Sequence, residues 1–108
     1  MLDEAAALAL APDDAGRKAA RSLAVAGLWE GAGHDDDAAW GSIRGRGKVP
    51  YRVTLDRASP PAWSCTCPSR KQPCKHAVAL LLLLARGRLD VAARPAEAAA
   101  WLLSLIHI

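Results

Sequence analysis

The sequence predicts a small α+β domain in which three antiparallel strands and one apolar helix follow an N-terminal helical extension. Residues 51–56 alternate apolar and polar side chains, which is the period of a half-buried strand. Residues 77–85 are apolar nearly all round, which is typical of a helix buried on more than one side. A chain of 108 residues has room for one small core, so an additional cross-link would stabilise it.

Residues 1–37 are predicted to form the helical extension. A short helix is expected over 3–9, and an amphipathic pattern predicts a second helix over 15–26 that ends at a glycine. Asp13 and Asp14 precede the second helix, where carboxylates complement the positive end of the helix dipole.

Strand-forming sequence is expected after a loop over residues 29–37, which contains two glycines and three consecutive aspartates. Three strands are predicted at 40–44, 51–56 and 63–65, separated by a glycine-rich turn and by a break at 59–61. Consecutive strands joined by short turns predict an antiparallel meander.

The apolar helix is predicted over residues 76–85, and a last helix over 95–102 within a C-terminal segment, 89–102. Residues 103–108 resemble the translation of a sequencing-library adapter, so they are excluded from functional interpretation.

Charge is unevenly distributed along the chain, although the net charge is only +3. Residues 1–40 contain eight acidic and three basic side chains, whereas residues 41–108 contain eleven basic and three acidic ones. A basic second half favours an anionic partner, but attraction between the two halves or simple solvation would explain it equally well.

Composition excludes several protein classes. Three cysteines are too few for a disulfide-rich secreted protein, and the longest apolar run is shorter than the roughly 20 residues that span a bilayer. The acidic N-terminus does not resemble a signal peptide. We therefore expect a cytoplasmic protein with reduced thiols, no membrane association and no small-molecule substrate.

All three cysteines and one histidine lie within a short segment of the form Cys-x-Cys, six residues, Cys-x-His. Cys65 and Cys67 point to one face of an extended strand because side chains alternate. Cys74 is expected in the turn before the apolar helix, and His76 in its first turn. Three sulfurs and one imidazole form a tetrahedral zinc set, so Cys65, Cys67, Cys74 and His76 are predicted to hold one structural zinc ion.

Three other roles for these residues remain possible. A nucleophilic Cys–His pair would need an orienting acid and an oxyanion site, which the sequence does not show. A redox switch usually uses Cys-x-x-Cys, and buried cysteines without a metal would be a purely structural alternative. Because four ligands leave no coordination position for water, we expect no enzymatic activity from the metal.

The segment resembles the SWIM zinc finger, a family defined by Cys-x-Cys, a variable gap and Cys-x-His. The similarity to bacterial SWIM-domain proteins extends over further shared residues. These are Trp40, Gly41, Gly45, Gly47, Pro50, Tyr51, Pro68, Ser69, Arg70, Lys71, Pro73 and Lys75. The resemblance covers roughly residues 8–88 and assigns residues 38–88 to the finger. It implies a zinc-binding module for DNA or proteins, without catalysis.

Two kinds of partner follow from this resemblance. Six basic residues are predicted to contact DNA: Arg44, Arg46, Lys48, Arg70, Lys71 and Lys75. Some of them could instead neutralise an anionic zinc site. Trp40, Tyr51 and Trp63 could stack bases or fill the core. Alternatively, the leucine run 80–84 could dock a protein partner, unless the helix is fully buried.

Overall fold

The computed structural model describes residues 3–58 and 61–106, which form a four-stranded antiparallel sheet with helices on both faces. The elements follow one another in this order: α1 (Glu4–Ala9), α2 (Asp14–Leu23), a 3₁₀ turn (Ala26–Leu28), β1 (Trp29–His34), β2 (Ala38–Ile43), β3 (Tyr51–Asp56), β4 (Ala62–Cys65), α3 (Lys75–Ala85) and α4 (Ala96–Ile106). The predicted break at Ser59 and Pro60, and the end of the tail at His107 and Ile108, lie outside the described residues.

The sheet is a meander in the order β1–β2–β3–β4, with every neighbouring pair antiparallel. The prediction of three strands was wrong, because residues 29–34 form an additional edge strand instead of a loop. The pairing of β1 with β2 is irregular between Glu30 and Gly33, and Gly31 has a positive φ of 59°. Glycine tolerates this conformation within a bulge, so residues that indicated a loop accommodate a bent strand.

One face of the sheet packs against α3, which forms the centre of the core. Leu80 to Leu83 are at most 1% exposed, and they contact sheet residues such as Val53 and Leu55. α1 and α2 cover the opposite side of α3, so the helix is enclosed on several faces. Complete burial explains why its sequence is apolar nearly all round.

The other face of the sheet packs against α4. Ala38 and Trp40 of β2 form a second cluster with Ala98 and the half-buried Leu102. Trp40 is only 4% exposed and is therefore a core residue, not a base-stacking platform. The strand β2 lies between two helical layers, which accounts for burial on both of its faces.

The helix boundaries follow local capping groups. Asp3 and Asp13 cap α1 and α2, where their carboxylates accept hydrogen bonds of 2.7 Å from the N–H groups of Ala6 and Gly16. α2 ends at Leu23, earlier than predicted, because Ala24 leaves helical geometry and a separate 3₁₀ turn then leads into β1. Within the described ranges, none of the helices combines the length and hydrophobicity that crossing a bilayer requires.

The chain from α3 to α4 runs along the outer edge of β1. The His34 N–H donates to the Asp90 carbonyl at 2.9 Å, and the Ala92 N–H donates to the His34 carbonyl at 3.1 Å. Further on, Arg94 donates a 2.7 Å hydrogen bond to Asp35 in the β1–β2 turn. This arrangement carries the chain around the sheet edge to the face that α4 covers.

Asp35 is the clearest electrostatic anchor in this region. Arg94 lowers the pKa of Asp35 to about 2, and the N–H groups of Asp37 and Ala38 add hydrogen bonds to the ionised carboxylate. Its stabilising contribution is therefore complete above the unfolded pKa of about 3.9 and is lost as pH falls towards 2.

We expect the substitution Asp35→Asn to lower the free energy of unfolding by about 1 kcal/mol, with the same loss at pH 5.5 and pH 8. The loss should be constant because the carboxyl group is ionised in both states throughout this range. Urea denaturation at the two pH values measures it, with Asp36→Asn on the same exposed turn as the control. Equal effects of the two substitutions would contradict the role given to Asp35.

Candidate metal centre

Cys65 and Cys67 are positioned by the pairing of β3 with β4. The register places Cys65 opposite Val53. One residue further, the Thr66 N–H donates to the Arg52 carbonyl at 3.1 Å, and the Arg52 N–H donates to the Thr66 hydroxyl at 3.0 Å. The ladder thus continues past β4, so Cys65 and Cys67 share the face that looks towards α3.

Cys74 and His76 lie at the start of α3, as the spacing predicted. Cys74 is the N-cap residue, and its sulfur accepts a 3.4 Å hydrogen bond from the Ala77 N–H. The cysteine therefore takes the place that Ser, Thr or Asp usually occupies at this position. His76 follows in the first turn and is 6% exposed.

The four side chains converge on one point. The sulfurs of Cys65, Cys67 and Cys74 and a ring nitrogen of His76 all lie within 4.8 Å of one another. Tetrahedral zinc with bonds of about 2.3 Å to sulfur and about 2.0 Å to nitrogen places its ligands roughly 3.5–3.8 Å apart. Inward movements of about 1 Å or less are therefore enough to close the set around one ion.

The protonation of the thiols also fits a divalent cation. The pKa of Cys74 is lowered to about 4, first by a hydrogen bond from the Cys65 thiol and then by the His76 ring and the Ala77 N–H. The same hydrogen bond raises the pKa of Cys65, and burial raises it further. Ionisation of Cys74 is thus favoured and ionisation of Cys65 is opposed, so a bound cation would allow both thiols to ionise together.

The ring of Tyr51 packs against the ring of the ligand His76. The ring centroids of Tyr51 and His76 are 4.9 Å apart, with the planes tilted by 50°. On the hairpin side, a Cβ atom on Gly45 would lie only 2.1 Å from the Tyr51 ring. The aromatic ring is therefore packed between the backbone of the β2–β3 loop and the imidazole, which restricts the orientation of His76.

The predicted DNA-contacting residues are all exposed, and the structure brings four of the six together. A cavity of about 530 Å³ lies between α2, the β2–β3 loop and the segment 66–74, which we call the zinc loop. Arg44, Arg46, Lys71 and Lys75 line this space, which we call the basic cavity. Lys48 and Arg70 lie on the same two loops but do not line it.

The sequence did not indicate that α2 contributes to this site. Asp13, at the start of α2, forms a 2.5 Å ion pair with Lys71 of the zinc loop, and this contact lowers the pKa of the carboxyl group. In the sequence, Asp13 and Asp14 indicate only favourable charges at a helix terminus. The one sequence feature that points to contact between α2 and the zinc loop is the acidic N-terminal part, because its charge complements the basic loop.

Fold and site together define a small α+β module whose sheet and central helix are joined by a Cys₃His metal centre. Residues 51–85 match the family model of the SWIM zinc finger. The chain therefore carries a SWIM-type zinc finger, and its four ligands are consistent with one zinc ion. Comparison of the chain with curated proteins and with solved structures gave no match.

Removing one ligand should destabilise the fold. We expect Cys74→Ala to lower zinc affinity and to reduce the free energy of unfolding by on the order of 3 kcal/mol or more, because it removes both a ligand and a helix cap. Zinc content and thermal unfolding measure the effect. Ser69→Ala is the control, since this exposed residue of the zinc loop should change stability by less than about 0.5 kcal/mol. Similar losses for both variants would argue against a ligand role.

The packing of Tyr51 gives an independent prediction. In Gly45→Ala the new methyl group must displace the ring, so we expect a loss of about 1–3 kcal/mol in stability and weaker zinc binding. Gly47→Ala is the matched control, because a Cβ there meets nothing within 4 Å. Competition with a coloured chelator compares the zinc affinities. If the two variants bind zinc equally well, Tyr51 does not orient His76.

Proposed function

We propose that this chain is a DNA-binding module whose binding surface is organised by a structural zinc ion. The observation that carries the proposal is the convergence of basic side chains from two separate loops on one concave surface. The β2–β3 loop contributes Arg44 and Arg46, and the segment around the metal ligands contributes Lys71 and Lys75. Lysine and arginine clusters of this kind bind the phosphates of nucleic acids.

The pattern of ion pairs supports this assignment. Several basic residues are paired with acids of the N-terminal part, as in the contacts of Lys71 with Asp13 and of Arg86 with Glu4. Arg44, Arg46 and Lys75 form no ion pair with any residue in the described ranges. Attraction between the two halves of the chain therefore uses part of the basic charge and leaves a group on the β2–β3 loop and at the start of α3 available to a partner.

Neutralising the metal site accounts for only a small share of this charge. Zinc bound to three thiolates and a neutral imidazole carries a net charge of about −1. The basic cavity presents four cationic side chains against that centre and the carboxylate of Asp13. The excess positive charge favours an anionic ligand.

The zinc ion has an architectural role in this proposal. Four protein ligands complete a tetrahedron and leave no position for a reacting water, so we propose no enzymatic activity for the centre. The proposed setting is the cytoplasm, where thiols stay reduced and free to bind metal.

The leucine-rich helix has no exposed leucine surface on which a protein partner could dock. Leu80 to Leu83 are at most 1% exposed, and Leu84 is half-buried. α1, α2 and the sheet already occupy the faces that such a partner would contact. A protein interaction would therefore have to use a different surface.

DNA binding should depend steeply on salt. We expect Arg44→Gln and Arg46→Gln each to weaken binding and to reduce the slope of log affinity against log salt by about 0.7–0.9, since each removes one phosphate contact. Fluorescence anisotropy over a range of salt concentrations, with zinc content verified, measures both quantities.

The matched control is Arg88→Gln. It removes the same charge just beyond the C-terminal end of α3, whereas the zinc ligands lie at the N-terminal end. This variant should retain the wild-type slope. Absence of binding at low salt, or equal losses in all three variants, would contradict the proposed DNA-binding surface.

A further inference from the structure

The basic cavity is larger than its metal centre requires. Its volume is about 530 Å³, whereas one water molecule takes up about 30 Å³ and a zinc ion enclosed by four ligands needs less. Pockets that accept small molecules typically measure about 300–1,000 Å³. The space therefore suits a small molecule or a single monomer unit of a larger polymer.

The walls of the cavity include an apolar part and a cationic part, together with metal ligands and the carboxylate of Asp13, which is paired with Lys71. Ala15, Ala19 and Leu23 of α2 form one apolar wall, and Pro68 and Pro73 of the zinc loop belong to another. These side chains carry no hydrogen-bonding groups of their own. The flat face of a planar group can pack against such a wall with little loss of hydration.

The cations come from two separate elements that line the cavity, the β2–β3 loop and the start of α3. Arg44 and Arg46 lie on the β2–β3 loop, and Lys75 begins α3 beside the zinc ligands. All three are exposed and form no ion pair within the described part of the chain. Guanidinium groups match phosphate geometry particularly well, because they donate two parallel hydrogen bonds.

We propose that the basic cavity receives an unpaired nucleotide of single-stranded DNA, with the base against the apolar wall of α2 and the flanking phosphates on Arg44, Arg46 and Lys75. This inference rests on the DNA binding proposed above and adds the form of DNA that is recognised. Proteins that bind single-stranded nucleic acid combine a positively charged groove for the backbone with surfaces that receive unstacked bases.

The burial of α3 favours a single strand over a duplex. A helix that reads a duplex must present an exposed face to the major groove. His76 to Leu83 are all buried between the sheet and the N-terminal helices, so this helix has no such face. α3 therefore cannot act as a groove-reading helix, and the basic side chains lie instead around a concave surface.

The experiment compares two probes and two matched variants. The probes are a single-stranded oligothymidine of about 12 nucleotides and a blunt-ended duplex of the same length. Ala19→Leu fills the cavity without changing charge, and Ala9→Leu introduces the same side chain at an exposed position of α1. Binding is measured by anisotropy on protein with verified zinc content and thermal unfolding.

We expect the wild-type protein to bind the single strand about tenfold more tightly than the duplex. Ala19→Leu should lose this preference and keep its duplex affinity and salt slope, while Ala9→Leu should match the wild type. Should Ala19→Leu fail to fold, Ala15→Leu at the exposed rim of the cavity provides the same test.

Other outcomes separate this inference from the function on which it rests. Equal affinity for both probes, or full single-strand affinity in folded Ala19→Leu, would overturn the nucleotide site and leave salt-dependent DNA binding intact. An equal loss of affinity for both probes in folded Ala19→Leu would also overturn it, because filling a site for an unpaired base should not weaken duplex binding. A polyglutamate peptide that binds more tightly than the oligothymidine would overturn both the site and DNA as the ligand.

Discussion

The Cys₃His centre joins the end of the β3–β4 ladder to the first turn of α3, and this link determines how the central helix lies on the sheet. Cys74 serves both structures at once, since its sulfur belongs to the ligand set and accepts the Ala77 N–H at the helix terminus. α1 and α2 then pack on the helix that the centre has positioned. A short domain with few large aromatic residues thereby obtains a long-range cross-link that its apolar core alone would not supply.

Opposite charges in the two parts of the chain help to hold the domain together. The ion pairs Lys71–Asp13 and Arg86–Glu4 both connect the N-terminal helices to the zinc half. The first of them also links the zinc loop to the start of α2, and both of its residues line the basic cavity. The ion pairs within the chain and the exposed basic side chains around the cavity are therefore two results of the same uneven distribution of charge.

Sequence reasoning identified the parts of this structure that depend on local chemistry. Spacing alone brought the four ligand residues together, because alternation on a strand and the first turn of a helix restrict where each can point. Trp29–His34 escaped prediction because two glycines replace the β-branched residues typical of strands, and only pairing with β2 makes the segment extended. The cavity could not be foreseen either, since it depends on the packing of α2 against the zinc loop, where the paired residues Asp13 and Lys71 are 58 positions apart.

The burial of α3 depends on elements that lie outside the segment that matches the family model. Residues 51–85 contain every metal ligand and match the family model, yet the leucines of α3 are covered largely by α1, α2 and β2, which lie outside that segment. The segment alone would expose a row of leucines to water, which favours aggregation. The family motif is thus smaller than the packing unit of this chain, because burial of these leucines depends on α1, α2 and β2.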